Sequence, residues 1–341
     1  MIHSTLTLRP ESDATVARDE TLDFVKGSLV LVMVLYHWLN YFVTLDWDVY
    51  RYLRFLTPSF ILITGFLVSH VYLARYSCDG SRVRRRLVQR GMKLLLLFVV
   101  LNVLGEIVLG GRQGGAAPST SWPARAQAIF VTGDSGAAFN ILVPIGYFLL
   151  LAPWGFLVSR RTGISLPAMA GAALVMTIGA SLAGFANSHL ELLSVALVGL
   201  AAGATEFRRI DTVLRRPGLL LFGYLLYLAA ITVWNVLFAL QVIGVCLSVL
   251  LIYIIGVKWG TQGRLQRCVV DLGKYSLFSY IAQIAALQLL RRGLRGADLT
   301  GAALMIPFAL GLIVTIVAVQ LMVTLRARSQ AADSLYRTVF A

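Results

Sequence analysis

The chain has 341 residues, of which 58% are hydrophobic, and its mean hydropathy is +0.79. This composition is too apolar for a soluble globular domain and predicts a protein that crosses a membrane several times. The formal net charge is +14, but the basic residues lie in short stretches between apolar runs. They do not form one soluble basic face, so nucleic acid is not an expected partner.

About ten apolar segments are long enough to cross the hydrocarbon core of a bilayer as helices. In chain order they are residues 23–43, 50–74, 88–110, 138–158, 165–185, 188–205, 218–235, 237–257, 271–291 and 301–324. The expected fold is therefore all-α, a polytopic transmembrane bundle. Its membrane domain covers residues 22–325, between polar tails at 1–21 and 326–341.

Residues 1–21 lack the short apolar core of a cleavable signal peptide, so the first span is expected to remain in the mature protein. Placing the N-terminus in the cytoplasm puts most of the Lys and Arg residues on the inner side. An even number of spans then puts both termini in the cytoplasm. The longest connection, residues 111–137, lies outside in this topology, and either covers a binding site or is an idle surface loop.

The first span contains Asp23-x-x-Lys26-Gly27 at its start and His37 well inside it. Ionisable side chains at bilayer depth are costly and are usually functional. Eleven residues make about three helical turns, so Lys26 and His37 are expected to share one helix face, with His37 in the outer half of the membrane. Asp23 is expected either to pair with Lys26 or to aid topology and helix capping.

Four motifs, taken in chain order, resemble the acyltransferase 3 family of membrane enzymes, which acylate carbohydrates. They are Leu22-Asp23-x-x-Lys26-Gly27 with His37, Phe60-Ile-Leu-Ile-Thr64-Gly65-Phe66-Leu67, Arg82-x-Arg84-Arg85-Arg86, and Leu272-Gly273-Lys274-Tyr275-Ser276-Leu277 with Tyr280. Asn140, Tyr147 and Pro153 look similar to residues of the glucan-succinylating relatives. Three positions depart from the family pattern. Lys26 occupies the position of an arginine, Thr64 that of a serine and Gln283 that of a histidine.

The resemblance implies an integral membrane O-acyltransferase that moves an acetyl or succinyl group from cytoplasmic acyl-CoA to a hydroxyl of an outward-facing carbohydrate or glycan. The implied location is a bacterial inner membrane, where membrane lipids surround the bundle. A homo-oligomer and a monomer both stay open. A basic cluster suited to the phosphates of CoA enters the third span and comprises Arg82, Arg84, Arg85, Arg86, Arg90 and Lys93. Such clusters also set topology and bind anionic lipid.

His37 is the main candidate catalytic residue, with Lys26 and Asp23 on the same helix. As a general base it would accept the proton of the acceptor hydroxyl, and an acyl-histidine intermediate is an alternative. The purely structural alternative is a neutral histidine whose hydrogen bonds hold two helices together.

The candidate substrate-binding residues are polar side chains of the spans, namely Arg54, Glu106, Asn140, Tyr147 and Gln283. Contacts with lipid headgroups and hydrogen bonds between helices are the alternatives for them. Gly65 and Gly273 are expected to permit close helix packing rather than to touch a ligand. No Cys or His pair has zinc-ligand spacing and no nucleotide-binding loop is present, so no metal is expected.

Two rival classes stay open. A transporter or flippase for a glycan or lipid would use His37 as a proton relay, and its two halves are expected to contain paired broken helices. No such repeat is evident in the sequence. A non-catalytic assembly partner would retain the family fold, and the glutamine at position 283 makes this class conceivable.

Overall fold

The structure is a computed structural model that describes residues 19–43, 47–73, 80–109, 122–133, 137–205, 216–234, 237–260, 263–294 and 300–340. Across these ranges the regular structure is helical, without a β-strand. The predicted all-α fold is therefore confirmed. The polar residues 1–18, and most of the connection predicted at 111–137, lie outside the described residues.

The α-helices of the described residues are numbered in chain order. The first seven are α1 (Glu20–Trp38), α2 (Trp47–Tyr50), α3 (Leu56–Leu67), α4 (Gly80–Leu109), α5 (Trp122–Gln127), α6 (Leu142–Thr162) and α7 (Leu166–Leu182). They are followed by α8 (Ser188–Ala204), α9 (Pro217–Val233), α10 (Phe238–Trp259), α11 (Arg264–Lys274), α12 (Ser276–Gly293), α13 (Met305–Arg328) and α14 (Gln330–Phe340). Short π-helical turns continue α1 over Leu39–Val43, α3 over Val68–Leu73 and α5 over Ala128–Thr132.

Six helical segments in the described part of the chain are long and apolar enough to cross a membrane. They are Glu20–Val43, Arg51–Val71, Gly80–Val108, Leu142–Thr162, Phe238–Trp259 and Gly301–Arg328. Helices α7, α8 and α9 are apolar but shorter, with 17 residues each. An all-helical protein with several candidate membrane spans is therefore confirmed, while the number of ten spans and the side of the termini stay predictions.

Helix α4 begins at Gly80 rather than at residue 88, where the third span was predicted to start. Val83 and Leu87 are buried one helical turn apart, so the apolar face of the helix continues through the arginine-rich segment. The arginines that were predicted to enter the span from a loop therefore lie on the first turns of the helix itself.

The predicted ninth span, residues 271–291, is not one continuous helix. The backbone leaves α-helical geometry at Tyr275 (φ −107°, ψ 29°), between α11 and α12. The buried Ser279 hydroxyl donates to the carbonyl oxygens of Leu272 and Tyr275 at 3.0 Å each. This side chain thus contributes a hydrogen bond to backbone carbonyl groups at the break.

The predicted C-terminal tail, residues 326–341, contains helix α14, which docks on the broken helix. The rings of Tyr336 and Tyr275 pack edge to face with centroids 5.2 Å apart. Arg326 lies over the Tyr336 ring at 4.2 Å and donates from Nε to Asp333 at 2.8 Å. Asp333 also pairs with Arg337 at 2.7 Å, so aromatic packing and ion pairs together hold α14 in place.

Helices α1 and α11 approach each other through two glycines. A Cβ atom on Gly27 would lie 1.8 Å from the carbonyl oxygen of Val269, and one on Gly273 would lie 1.7 Å from that of Asp23. Neither position has room for a side chain, so the two backbones are in contact. A similar contact joins α3 to α8 at Gly65. The expectation that Gly65 and Gly273 serve close packing is confirmed.

Gly27→Ala is expected to destabilise the bundle, because its methyl group would collide with the backbone of α11. Overpacking of this kind costs about 1–3 kcal/mol, and thermal unfolding of the detergent-purified protein should show a lower Tm. Gly179→Ala is the matched control, since no atom lies within 4 Å of the Cβ position on this α7 glycine. An equal fall in Tm for both variants would contradict the close-contact interpretation.

The docking of α14 is expected to be insensitive to pH until the medium becomes strongly acidic. The hydrogen bond from Arg326 lowers the pKa of the Asp333 carboxyl below its ordinary value of 3.8, and the charge of Arg337 adds to this shift. A carboxyl with a lowered pKa stabilises the fold above its unfolded-state pKa, and this stabilisation is lost as the pH falls through the lowered value. The protection of the backbone amides of residues 330–340 against hydrogen exchange, relative to an unstructured peptide at the same pH, should thus stay high from neutral pH down to 3.8 and fall below it. Release of α14 between neutral pH and 5 would refute this assignment, and Asp333→Asn should abolish the dependence.

Candidate functional site

A cavity of about 560 Å³ opens at the end of the bundle where α1 begins and α13 ends. Five cationic side chains line it, namely Lys26, Arg90, Lys274, Arg326 and Arg337. No carboxylate is among the described residues that line it. This space, called the basic cavity below, is suited to attract a multiply charged anion.

Asp23 holds one of these cations in position. Its buried carboxylate pairs with the Lys26 ammonium at 2.5 Å, one helical turn away. The helix is capped by a different residue, because the Asp19 carboxylate accepts hydrogen bonds from the backbone amides of Thr21 and Leu22. Of the alternatives for Asp23, the structure therefore shows pairing with Lys26.

The interior of the basic cavity is mostly apolar. Its wall is formed by side chains of α3, α4 and α6 and of the turn before α6, among them Phe60, Ile63, Leu67, Leu94, Ile141, Leu142, Ile145 and Leu149. Thr64 also lines it, but its hydroxyl donates to the Phe60 carbonyl oxygen of its own helix. A charged rim above an apolar interior suits a ligand with an anionic head and a long, less polar arm.

Tyr280 on α12 connects the basic cavity to His37. The tyrosine lines the cavity, and its ring centroid lies 6.3 Å from that of His37. His37 is not among the residues that line the basic cavity. It packs between aromatic rings, stacking on Tyr41 at 5.7 Å and meeting Tyr36 edge to face at 5.3 Å. Tyr280 is therefore a residue of the cavity wall that also neighbours the histidine.

Both ring nitrogens of His37 are buried, and neither has a hydrogen-bond partner. A histidine that only holds two helices together would make such a bond, so the structural alternative is not what the described residues show. An imidazole with both nitrogens unpaired carries a desolvation cost that a bound substrate could relieve. Eleven residues of helix, about 16 Å, separate it from Lys26.

Gln283 is a second buried polar group without partners. It follows Tyr280 by one helical turn on α12, is fully buried, and neither its Oε1 nor its Nε2 makes a hydrogen bond. Buried amides in folded proteins are normally paired. Like His37, Gln283 is therefore equipped to bind a ligand that brings its own hydroxyl groups.

The structure divides the predicted basic cluster. Arg90 lines the basic cavity, and Lys93 lines a neighbouring cavity of about 770 Å³. The other four, Arg82, Arg84, Arg85 and Arg86, are exposed on the first turns of α4 and line neither of these two cavities.

Two of the predicted substrate-binding residues contact the backbone of the protein. The Tyr147 hydroxyl donates to the Phe130 carbonyl oxygen at 2.8 Å, and Asn140 Nδ2 donates to that of Gly133 at 3.4 Å. The Oδ1 atom of Asn140 is buried without a partner. Asn140 thus keeps one acceptor for a ligand, whereas Tyr147 anchors the segment before α6.

Arg54 and Glu106 lie away from the basic cavity. The exposed Arg54 lies close enough to Tyr36, the neighbour of His37, for its charge to act on the phenol group. Glu106 lies on α4 one half-turn before Val108, whose carbonyl oxygen accepts a hydrogen bond from Arg292. Both residues therefore belong to the end of the bundle that contains His37.

A family model described as an acyltransferase domain matches residues 19–325. The chain belongs to the acyltransferase 3 family. No curated protein and no solved structure matches the chain. The family makes the chain a multi-pass membrane acyltransferase, and the matched range contains His37, Tyr280 and the cavity residues of α1, α4 and α11. It ends one residue before Arg326.

Three cations of this acyltransferase's basic cavity were not predicted as site residues. Lys274 was noted only as part of a motif, although a lysine beside a glycine at a helix end was the available signal. Arg326 and Arg337 come from the C-terminal segment that was predicted as a tail. Arg326 lies on the last turn of α13, and the docking of α14 brings Arg337 to the same cavity.

Gln283→Leu is expected to stabilise the acyltransferase by about 1–3 kcal/mol, because it removes a buried amide whose hydrogen bonds are not made. Thermal unfolding of the ligand-free protein should show a higher Tm. Gln320→Leu is the matched control, since Gln320 Nε2 donates to Asp271 at 3.3 Å and its loss brings no such gain. A lower Tm for Gln283→Leu would mean that the amide does make hydrogen bonds in the folded protein.

Proposed function

We propose that this membrane acyltransferase transfers an acetyl or succinyl group from acyl-CoA to a hydroxyl of a carbohydrate or glycan. The observation that supports the proposal best is that one side chain, Tyr280, contacts both the basic cavity and the buried His37. In the proposal the cavity opens to the cytoplasm of a bacterial cell and the His37 end faces outward across the inner membrane.

The donor binds in the basic cavity. The five cations at its rim pair with the phosphates of CoA, and guanidinium groups suit this task because they form two parallel hydrogen bonds. Lys26, held by Asp23, supplies one of these charges, and its distance along α1 from His37 assigns it to donor binding rather than to the reacting atoms. The uncharged arm then follows the apolar wall towards Tyr280.

His37 acts as the general base. One neutral ring nitrogen accepts the proton of the acceptor hydroxyl while the hydroxyl oxygen bonds to the carbonyl carbon of the thioester. The carbon–sulfur bond then breaks, and the departing sulfur takes the proton back from the imidazolium, which leaves a free CoA thiol and an acylated sugar. Gln283 binds the sugar hydroxyls with its unpaired amide.

Tyr280 moves in each catalytic cycle. Its ring lines the basic cavity and neighbours His37, so in the proposal it turns aside to let the thioester reach the imidazole. The movement thereby excludes water from the thioester until the acceptor is in place, which limits wasteful hydrolysis.

His37→Gln is expected to lower the rate of acyl transfer by about 10²–10⁴-fold, the usual contribution of a general base. The measurement uses purified protein in lipid nanodiscs, radiolabelled acetyl-CoA or succinyl-CoA, and a panel of candidate glycans, with labelled glycan as the readout. Binding of the donor should be unchanged, because His37 is not among the residues that line the basic cavity.

The control is His189→Gln, which removes another buried histidine of the bundle. Its Nε2 lies 2.8 Å from the Ile129 carbonyl oxygen, and glutamine keeps a donor for this contact. Transfer that survives His37→Gln unchanged would refute the role of this histidine. Movement of unmodified glycan across the membrane, with no acyl transfer, would instead favour a transporter.

A further inference from the structure

A second cavity, of about 770 Å³, lies where α13 ends and α14 begins. It shares Arg326 and Arg337 with the basic cavity, so the two cavities meet at these side chains. Lys93 of α4 and Arg328 line the second cavity and not the basic one. This second space is called the polar cavity.

The side chains that line the polar cavity are suited to bind an anion. Among the described residues that line it are four cationic side chains, Lys93, Arg326, Arg328 and Arg337, against the single carboxylate of Asp333. Asp333 accepts hydrogen bonds from Arg326 and pairs with Arg337, and thereby orders both guanidinium groups. Guanidinium groups held in this way recognise phosphate with two hydrogen bonds each.

Helix α14 supplies Asp333 and Arg337 of this arrangement. The helix lies beyond the residues that the family model matches. Its Phe340 packs on Phe278 with ring centroids 5.7 Å apart, and Tyr336 packs on Tyr275. Both partners belong to the broken helix beside the basic cavity. The docking that supplies Arg337 to both cavities therefore depends on the aromatic face of α14.

We propose that the polar cavity binds the 3′-phosphate at the nucleotide end of the acyl-CoA donor, while the basic cavity holds its diphosphate and the acyl-bearing arm. This inference rests on the proposed function, because it assigns the donor's two ends to two cavities. One extended ligand spans both, with Arg326 and Arg337 at the junction. Helix α14 is thus a part of the donor site that is supplied by the C-terminal segment.

The test measures acetyl-CoA binding by titration calorimetry on the full chain in nanodiscs of phosphatidylcholine. Lys93→Gln/Arg328→Gln removes two charges that line only the polar cavity, and acetyl-CoA should bind about ten-fold more weakly, the size of one lost charge-assisted hydrogen bond. Acyl transfer from S-acetylpantetheine, which lacks the nucleotide and its phosphates, should be unchanged. Lys93→Arg/Arg328→Lys keeps both charges and should restore binding.

The matched control is Arg160→Gln/Arg161→Gln, which removes two exposed charges at the end of α6. These residues line neither cavity, so a change within about two-fold is expected. Equal acetyl-CoA affinity of the parent and of Lys93→Gln/Arg328→Gln would overturn the inference and leave the proposed function intact.

Two further outcomes are informative. The first distinguishes a lipid headgroup from the acyl donor as the source of the bound phosphate, and the second distinguishes failure of the inference from failure of the proposed function. An effect of the double variant that requires phosphatidylglycerol in the nanodisc would make the polar cavity a lipid-headgroup site and would overturn the inference. A parent protein that binds neither acetyl-CoA nor succinyl-CoA, and transfers from neither of them nor from S-acetylpantetheine, would overturn the proposed function itself, and the inference with it.

Discussion

The contact between α1 and α11 at Gly27 and Gly273 is the constraint on which the site depends. Two helix backbones can approach this closely only where no side chain stands between them. Each glycine has a lysine as its neighbour, so the contact that joins the helices also places Lys26 and Lys274 on one cavity. Packing and charge placement are therefore two consequences of the same pair of short motifs.

The interruption at Tyr275 connects that contact to the proposed chemistry. Helix α11 ends where it meets α1, and α12 begins at once with Ser276 and carries Tyr280. The Ser279 hydroxyl lies within hydrogen-bond distance of the Leu272 and Tyr275 carbonyl oxygens at the break, and the Tyr275 oxygen also accepts from the Ser279 amide. A continuous helix would satisfy its own backbone throughout, but the break lets residues of two helices line one cavity.

The unpaired polar groups near the middle of the bundle are the part of the fold that packing alone does not explain. His37 and Gln283 are buried without hydrogen bonds, which costs stability in the ligand-free protein. Residues that violate the usual rules of burial tend to belong to functional sites. At the opposite extreme, α14 is fully explained by its contacts, since Asp333, Tyr336 and Phe340 each have a partner.

The sequence by itself determined the helical class, the membrane setting and the family. Long apolar runs without other structural signals have no alternative to helices in a bilayer, and the motifs around Lys26, Thr64 and Lys274 occur in family order. The importance of His37 could also be predicted, because an ionisable group inside an apolar run is costly wherever it stands.

Only the tertiary structure decided which of these residues meet. Helical periodicity predicted that Lys26 and His37 share a face, but it could not show that Tyr280, from a distant segment, both lines the cavity and neighbours His37. The break at Tyr275 contains no proline, and a glycine such as Gly273 occurs in many continuous membrane helices, so the local sequence did not predict it. Arg337 joined the site through the docking of α14, and such contacts depend on the positions of whole helices rather than on neighbours in the chain.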